Sequence, residues 1–336
     1  MFLESHESGC MTDDKIAGLL LQYGIARPET TMLRHNENRT YKVIDRSNGD
    51  AYLLRVHDPI TVNLAGIQHT KQGVESELRL LEAIARRTNL AVQTPVESLS
   101  GQLVTEIEFD GRSLCCSLLR WIEGRNMTKE DLSTPDAAYN LGAQVASLHE
   151  FFSNYNEVVL QDRPDYGIRR TQKMLKQIRR GVELELFSDE TYGVVEQTLE
   201  LIVDRLKAGR PEMLKQGIIH ADLNMGNLLV TPLGRSVFID YSLFGFGYRL
   251  FDVAMTALNA PRETREQVVN GYYGQEPPQE GIYSVIEGFM LSAVLGYYAF
   301  VMENEAVHPW IRERMPQFCA QRCVPFLNDE RIFHSF

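Results

Sequence analysis

The sequence predicts an α+β protein with two lobes, a small antiparallel β-sheet lobe that carries one helix and a larger, mainly helical lobe. Short β-like runs are concentrated in the first third of the chain, and helical periodicity dominates afterwards. The pairs Asn48-Gly49 and Asp110-Gly111 are typical of tight hairpins, because these residues tolerate positive φ. We therefore divide the chain into residues 1–121 and 122–336.

The first lobe is predicted to begin with a helix whose apolar residues share one face, and to continue as a meander interrupted by a second helix. Strands alternating with one inserted helix are typical of a small α+β unit. The predicted elements are, in order, a helix at 13–23, strands at 41–45 and 51–57, a helix at 74–87, and strands at 102–109 and 113–121.

The second lobe is predicted to open with a well-marked helix at 135–152. Ser133 or Thr134 can cap it, and Pro135 suits its first turn. Further helical patterns cover residues 169–180 and 189–207.

Composition and charge argue against nucleic-acid binding. The chain has 336 residues, a formal net charge of −11 and a pI of about 5.3, so no overall positive field favours nucleic acid. The basic residues between 169 and 180 are interpreted as a solvated helix face, because no aromatic residues alternate with them. We predict no nucleic-acid partner.

Targeting signals are not evident. The first residues are polar and acidic, and the apolar stretch FMLSAVLGYYAFVM is shorter than a membrane span, with Glu287 and Glu303 close to its ends. We expect a cytoplasmic protein that does not enter a membrane. The five cysteines are odd in number, match no zinc-binding pattern and are predicted to be reduced thiols, namely Cys10, Cys115, Cys116, Cys319 and Cys323.

The stretch IIHADLNMGNLLVTPLGRSVFID, which begins at Ile218, has the pattern strand, loop, strand, turn, strand. Antiparallel pairing of its second and third strands would bring Asn227 and Asp240 to one end, next to Asp222 in the loop. Asp and Asn are common in turns, so each residue alone has a plain structural interpretation. The three together, at this spacing beside apolar strands, favour a site.

Three oxygen-bearing side chains suit phosphoryl transfer. Mg²⁺ prefers oxygen ligands and bridges nucleotide phosphates. A further carboxylate is needed to orient the attacking hydroxyl group. The pattern H-x-D-x-x-x-x-N from His220 to Asn227, followed by Asp240, meets both requirements.

With these residues the chain resembles the aminoglycoside phosphotransferase/choline kinase superfamily, distant relatives of the protein kinases. The resemblance runs from about residue 30 to at least 260 and also rests on IDYSLFGFGYRLFDVA and on the sheet lobe. The segments SELRLLEAI and LLRWIEGR are most similar to bacterial members related to type II homoserine kinase and stress-response kinases. The resemblance implies a protein-kinase-like fold that uses ATP and Mg²⁺.

The resemblance also implies roles in the catalytic stretch. Asp222 would be the catalytic carboxylate, and Asn227 and Asp240 would bind Mg²⁺. His220 would hold the loop by hydrogen bonding, and Asp252 would anchor it.

The resemblance implies a nucleotide site in the first lobe. Arg55 would contact phosphate and pair with Glu77, for which Glu75 is the competing candidate. Backbone N–H groups of Asn38, Arg39 and Thr40 would cradle phosphates. The join between the lobes would meet adenine at Arg120, Trp121 and Ile122, although Trp121 also suits packing.

Two departures from protein kinases stand out. Arg55 occupies the position where Lys is expected, and no G-x-G-x-x-G loop precedes it. We therefore expect a small-molecule kinase whose acceptor carries a hydroxyl and an amino group, such as an aminoglycoside, homoserine or a choline-like compound. A Ser/Thr protein kinase of the stress-response type and a nucleotide-binding pseudokinase are the alternatives. ATP versus GTP and the oligomeric state stay open.

The candidate acceptor-pocket residues are polar or acidic groups near the catalytic stretch or in late helices, where carboxylates would suit an amine. They are Asp165, Tyr166, Glu287, Tyr297, Tyr298, Glu303 and Glu305.

Overall fold

The structure is a computed structural model that describes residues 13–35, 38–59, 66–157, 163–210 and 212–336. The chain divides into two compact units, of which the first ends at Gly124 and the second begins at Arg125. The division lies close to the boundary proposed from the sequence after residue 121.

The first unit is built on a five-stranded antiparallel sheet with strand order β1-β2-β3-β5-β4. Its buried core includes Val43, Leu54 and Leu118, which are fully buried. Its elements are α1 (Asp13–Leu21), β1 (Pro28–His35), β2 (Arg39–Asp45), β3 (Ala51–Val56), α2 (Lys71–Arg87), β4 (Val104–Phe109) and β5 (Arg112–Arg120).

Both hairpins form where the two Asx-Gly pairs predicted them. Asp110 and Gly111 have φ of 49° and 72°, the left-handed conformation that a two-residue turn between β4 and β5 requires. Gly49, between β2 and β3, has φ of 81°.

The first strand, β1, was missed by the sequence analysis. It is an edge strand that pairs only with β2, and most of its residues are exposed or half-buried on both faces. Such a strand shows no alternation of apolar and polar residues, which is the signal used for the other strands.

The second unit is mainly helical and contains two small sheets, β6-β8-β9 and β10-β7. The predicted α+β class is therefore confirmed. The elements are β6 (Arg125–Asn126), α3 (Pro135–Ser153), α4 (Ile168–Glu183), α5 (Asp189–Ala208), β7 (Gln216–Ile219), β8 (Leu228–Val230), β9 (Ser236–Phe238), β10 (Gly245–Tyr248), α6 (Arg249–Asn259), α7 (Arg265–Tyr273), α8 (Ile282–Val301), α9 (His308–Phe318) and α10 (Val324–Leu327).

Helices α3 and α7 approach each other closely through two glycines. A Cβ atom on Gly142 would lie 1.9 Å from the carbonyl oxygen of Val268, and one on Gly271 would lie 1.9 Å from that of Tyr139. Only glycine permits this approach of the two backbones.

Helix α8 is longer than the apolar stretch read from the sequence, because it begins at Ile282. By length and composition it is the one helix in the described residues that could cross a membrane. However, 61% of its most apolar window is buried in the protein, where it packs on α4, α5 and α6. This extent of burial is typical of a helix in the core of a protein.

The four cysteines in the described residues are free thiols, as expected, and three of them are buried. Cys10 lies outside the described residues.

Candidate active site

Asp222 lies in the loop between β7 and β8, where two asparagines hold its carboxylate. The side-chain nitrogen of Asn227 donates to Asp222 Oδ2 at 2.7 Å and to the Asp222 carbonyl oxygen at 2.9 Å. The side-chain nitrogen of Asn224 donates to Asp222 Oδ1 at 2.7 Å. The carboxylate is therefore fixed in one orientation by neutral donors.

The β8–β9 hairpin brings Asp240 to the same end as Asn227. Leu228 pairs with Phe238, and the N–H of Ile239 donates to the carbonyl of Asn227 at 3.0 Å. Asp240 follows with φ 62° and ψ 67°, a left-handed conformation that is uncommon for a residue with a side chain. The predicted convergence of Asp222, Asn227 and Asp240 is present.

Asp252, in the first turn of α6, anchors the backbone just before Asp222. Its two carboxylate oxygens accept the N–H groups of His220 and Ala221, each at 2.8 Å. Ala221 has φ of 68°, so these bonds stabilise a strained residue next to Asp222. The anchoring predicted for Asp252 is observed.

His149 in α3 contacts the loop anchor Asp252 and was not predicted from the sequence. Its Nε2 lies 2.9 Å from Asp252 Oδ2, and its Nδ1 lies 3.0 Å from the hydroxyl of Tyr272. The one available signal was its place on the buried face of α3, after Leu141, Val145 and Leu148.

His220 and Asn259 complete the support of the loop. The N–H of Asp222 donates to Nδ1 of His220 at 3.3 Å, and the imidazole lies 4.3 Å from the ring of Tyr241. Asn259 donates to the carbonyl of Leu223 at 2.8 Å. His220 thus makes the hydrogen bond that was expected of it, whereas Asn259 was not anticipated.

Burial raises the pKa of Asp222 to about 6, because a carboxylate loses solvation there. The hydrogen bonds from Asn224 and Asn227 lower this pKa, whereas the negative charge of Asp240 raises it, and the positive charge of Arg170 lowers it. Asp222 is therefore a carboxylate with an unusually high proton affinity, as functional carboxylates often are.

The segment after Asp240 is clamped by two residues that precede α4. Arg163 donates from Nε to the carbonyl of Phe244 at 2.8 Å and from Nη2 to that of Ser242 at 2.5 Å. The Tyr166 hydroxyl donates to the carbonyl of Leu243 at 2.6 Å. These bonds fix the backbone that delivers Asp240.

In the first unit, Arg55 of β3 and Glu77 of α2 form the ion pair that was predicted. The distance from Arg55 Nη1 to Glu77 Oε1 is 2.9 Å, and the two residues are only 5% and 1% exposed. The competing candidate, Glu75, instead pairs with Arg79 on the surface of α2.

The residues proposed to cradle phosphates flank the β1–β2 turn. Thr40 is directly opposite Arg55 in the sheet. The side chain of Arg39 turns to Asp58, with Nε 2.8 Å from Oδ2, so only its backbone N–H suits the proposed role. Asn38 precedes β2, and its neighbours Asn36 and Glu37 lie outside the described residues.

The residues proposed to meet adenine are the last residue of β5 and the two that follow it. The N–H groups of Arg120 and Trp121 donate to the carbonyls of Thr94 and Ala51 at 2.8 and 3.0 Å. Lys42 Nζ lies 4.4 Å from the centre of the Trp121 ring. Ile122 follows outside regular structure, which makes its backbone the best placed of the three for a ligand.

Two of the candidate acceptor-pocket acids are engaged by groups of the protein itself. Glu287 is buried and accepts the N–H groups of Ile332 and Phe333, and Glu303 pairs with Arg180. Tyr166 lies near Asp222, because burial and, to a smaller extent, the negative charge of Asp222 raise its pKa.

The donor set at Asn227 and Asp240 suits a hard divalent cation. Because the Asn227 nitrogen donates to Asp222, its amide oxygen is left for a metal ion, and the β8–β9 pairing brings Asp240 to the same end. In the described parts of the chain, no group of three or more His, Cys, Asp or Glu residues could hold a metal. Asn227 and Asp240 together offer one amide oxygen and one carboxylate, which leaves positions on a cation for other oxygen ligands.

A family model described as the phosphotransferase enzyme family matches residues 31–280. The chain belongs to this family. The match covers most of the chain and includes all the predicted catalytic, metal-binding and nucleotide-binding residues. The resemblance noted from the sequence is confirmed, and the chain is a phosphotransferase. No curated protein matches the chain by sequence.

Solved structures share the fold. A microcompartment-associated aminopropanol kinase is 23% identical, with a TM-score of 0.73, and the match covers 94% of this chain and 98% of that one. An amicoumacin kinase in complex with AMP-PNP and Ca²⁺ is 17% identical, with a TM-score of 0.70 and coverage of 96% and 97%. An ethanolamine kinase of Plasmodium vivax is 15% identical, with a TM-score of 0.64 and coverage of 90% and 84%.

Proposed function

We propose that this phosphotransferase moves the γ-phosphoryl group of ATP to a hydroxyl of a small, amino-containing molecule in the cytoplasm, with Mg²⁺ as cofactor. The observation that supports this most strongly is the arrangement around Asp222. Its carboxylate is oriented by Asn224 and Asn227 and stands next to Asp240. A nucleotide-binding pseudokinase has no need of an oriented proton acceptor.

In this proposal, Asp222 accepts a hydrogen bond from the acceptor hydroxyl and aligns its oxygen for attack. Its raised pKa favours a role in holding a proton during transfer, because a carboxylate of low proton affinity would be a weaker base. Asn224 and Asn227 prevent rotation of the carboxylate, and Asp252 fixes the backbone beneath it.

Asn227 and Asp240 would hold Mg²⁺, through the amide oxygen and the carboxylate respectively. When bound, the cation neutralises charge on the nucleotide phosphates. Arg163 and Tyr166 contribute by fixing the backbone that carries Asp240.

The first unit would bind the nucleotide. Arg55 would contact phosphate while Glu77 holds its guanidinium in place. An arginine can bind two partners at once, because its guanidinium has several N–H donors. Backbone N–H groups of Asn38, Arg39 and Thr40 would cradle phosphates, and the segment Arg120, Trp121 and Ile122 would meet the adenine.

A small amino-containing acceptor agrees with the structures that share this fold, which include an aminopropanol kinase and an ethanolamine kinase. The test is ADP release with MgATP over hydroxylated amines, including amino alcohols, hydroxyamino acids and aminoglycosides. Asp222→Asn serves as the inactive control and should lower the rate by about 10²–10⁴-fold.

The control must still bind nucleotide, so binding of ATP is measured for both proteins by calorimetry. Acceptor-dependent release that disappears in Asp222→Asn supports the proposal. ATP binding without release for any small acceptor contradicts it and favours a protein kinase, if a protein becomes phosphorylated, or a pseudokinase, if none does.

A further inference from the structure

Arg170, in the first turn of α4, has a guanidinium that lies among aromatic rings in the second unit. Its Cζ atom is 4.5 Å from the ring centre of Tyr166 and 5.3 Å from that of Phe251. A Cβ atom on Gly296 would lie 3.1 Å from Arg170 Nη2, so α8 makes room for the guanidinium with a glycine. The side chain is therefore held in one place by packing.

The positive charge of Arg170 is balanced only at longer range within the described residues, where the carboxylate of Asp222 acts on it. None of their carboxylates forms an ion pair with it, and its Nη1 is buried there without a hydrogen-bond partner. Arg170 as a whole is half-buried, whereas the fully buried Arg265 of the same unit donates to four backbone carbonyls. Burying an unpaired cation is costly, so a partner supplied from outside the chain would stabilise this group.

The position of Arg170 is close to the site and favourable to anions. Arg170 packs on Phe251, which precedes the loop anchor Asp252, and on Tyr166, whose hydroxyl donates to the carbonyl of Leu243 in the segment after Asp240. Helix α4 begins at Ile168 and has no acidic residue in its first turn. The N-terminal end of a helix carries partial positive charge, which disfavours an arginine there and favours a bound anion.

We propose that Arg170 binds a carboxylate of the acceptor, so that the preferred substrate is a hydroxylated amino acid rather than a plain amino alcohol. This inference rests on the proposed function, because it takes Asp222 as the group that meets the hydroxyl. A guanidinium presents paired N–H donors that match a carboxylate. A plain amino alcohol would bring only a second positive charge towards Arg170, whereas an amino acid brings the negative charge that balances it.

The test uses pairs of acceptors that differ only by a carboxylate, namely homoserine with 3-aminopropan-1-ol, and serine with ethanolamine. We measure kcat/KM for each in the wild-type protein and in Arg170→Met. The variant should lose roughly 10- to 100-fold for the carboxylated member of a pair, as expected for a charged hydrogen bond. It should change little for the amino alcohol.

Two further variants separate recognition from folding. Arg169→Met removes an exposed arginine of the same turn and should leave the preference unchanged. Gly296→Ala adds a methyl group against Nη2 and should weaken the preference without removing the charge. Equal losses for both members of each pair in Arg170→Met would overturn the inference and assign Arg170 a structural role.

A binding measurement makes the result independent of turnover. Carboxylated acceptors should raise the Tm of the wild-type protein and of Arg169→Met, but not that of Arg170→Met. The absence of such stabilisation overturns the inference, even when amino alcohols are phosphorylated and the proposed function stands. Stabilisation through Arg170 without phosphorylation of any acceptor would support the inference and contradict the proposed function.

Discussion

Arg55 Nη1 and Glu77 Oε1 are 2.9 Å apart in a pair that is almost fully buried. A buried ion pair is sensitive to the loss of one partner, because the other charge is left without solvent. The pair therefore links the stability of the first unit to the placement of the proposed phosphate-binding arginine.

Arg55→Met should lower the free energy of unfolding by about 3 kcal/mol, because it leaves the carboxylate of Glu77 buried and unpaired. The double variant Arg55→Met with Glu77→Leu should recover most of this stability and yet remain inactive. Urea unfolding and ADP release on the three proteins test this. A double variant as unstable as the single one would contradict the explanation.

Asp252→Asn should reduce both stability and kcat. An asparagine has one acceptor oxygen, whereas the backbone N–H groups of His220 and Ala221 occupy both oxygens of Asp252. One buried N–H would face an amide donor, at a cost of about 1–3 kcal/mol. Urea unfolding and single-turnover rates measure the two effects. Asp204→Asn, on the surface of α5, is the control and should change stability by less than about 1 kcal/mol.

Gly142→Ala should destabilise the second unit by about 3 kcal/mol, because its Cβ would meet the carbonyl of Val268. The matched control is Gly193→Ala in α5, where an added Cβ has no atom within 4 Å. That change should instead stabilise the protein by about 1 kcal/mol, since alanine is the better helix former. Thermal unfolding that gives the two variants the same sign would exclude close helix approach as the cause.

Glu287→Gln should become relatively more stable than the wild-type protein as pH rises. Burial raises the pKa of Glu287, so the folded protein binds this proton more tightly than the unfolded chain does. The wild-type protein therefore loses stability from the unfolded pKa of 4.5 up to the raised folded pKa.

Glutamine keeps an oxygen for the N–H groups of Ile332 and Phe333 but carries no charge to bury. The difference between the Tm of Glu287→Gln and that of the wild-type protein should therefore increase as pH rises above 4.5, until the raised pKa of Glu287 is passed. Parallel curves over this range would contradict the raised pKa.

Local sequence patterns were sufficient for most elements and for the catalytic stretch. The hairpin between β8 and β9 follows from two short apolar runs separated by Pro232 and Gly234, and its pairing necessarily brings Asn227 and Asp240 to one end. Helix boundaries near Thr134 and Ser188 follow from capping residues. These features depend on neighbours along the chain, so the sequence displays them directly.

Tertiary structure alone decided which polar residues meet over long separations. His149 and Asp252 are 103 residues apart, and no periodicity links them. The same holds for Glu287, which resembled a pocket carboxylate in the sequence but binds the backbone near the end of the chain. Periodicity states which face of an element is buried, but not which other element covers that face.

The sequence by itself determined the family, the α+β class and the set Asp222, Asn227 and Asp240, because each depends on residues that are close together along the chain. Only the tertiary structure decided that Glu77 rather than Glu75 pairs with β3, and that Arg170 lies near Asp222 without a carboxylate partner among the described residues. The physical reason is that a charged side chain acquires its partner, or lacks one, through packing between distant segments.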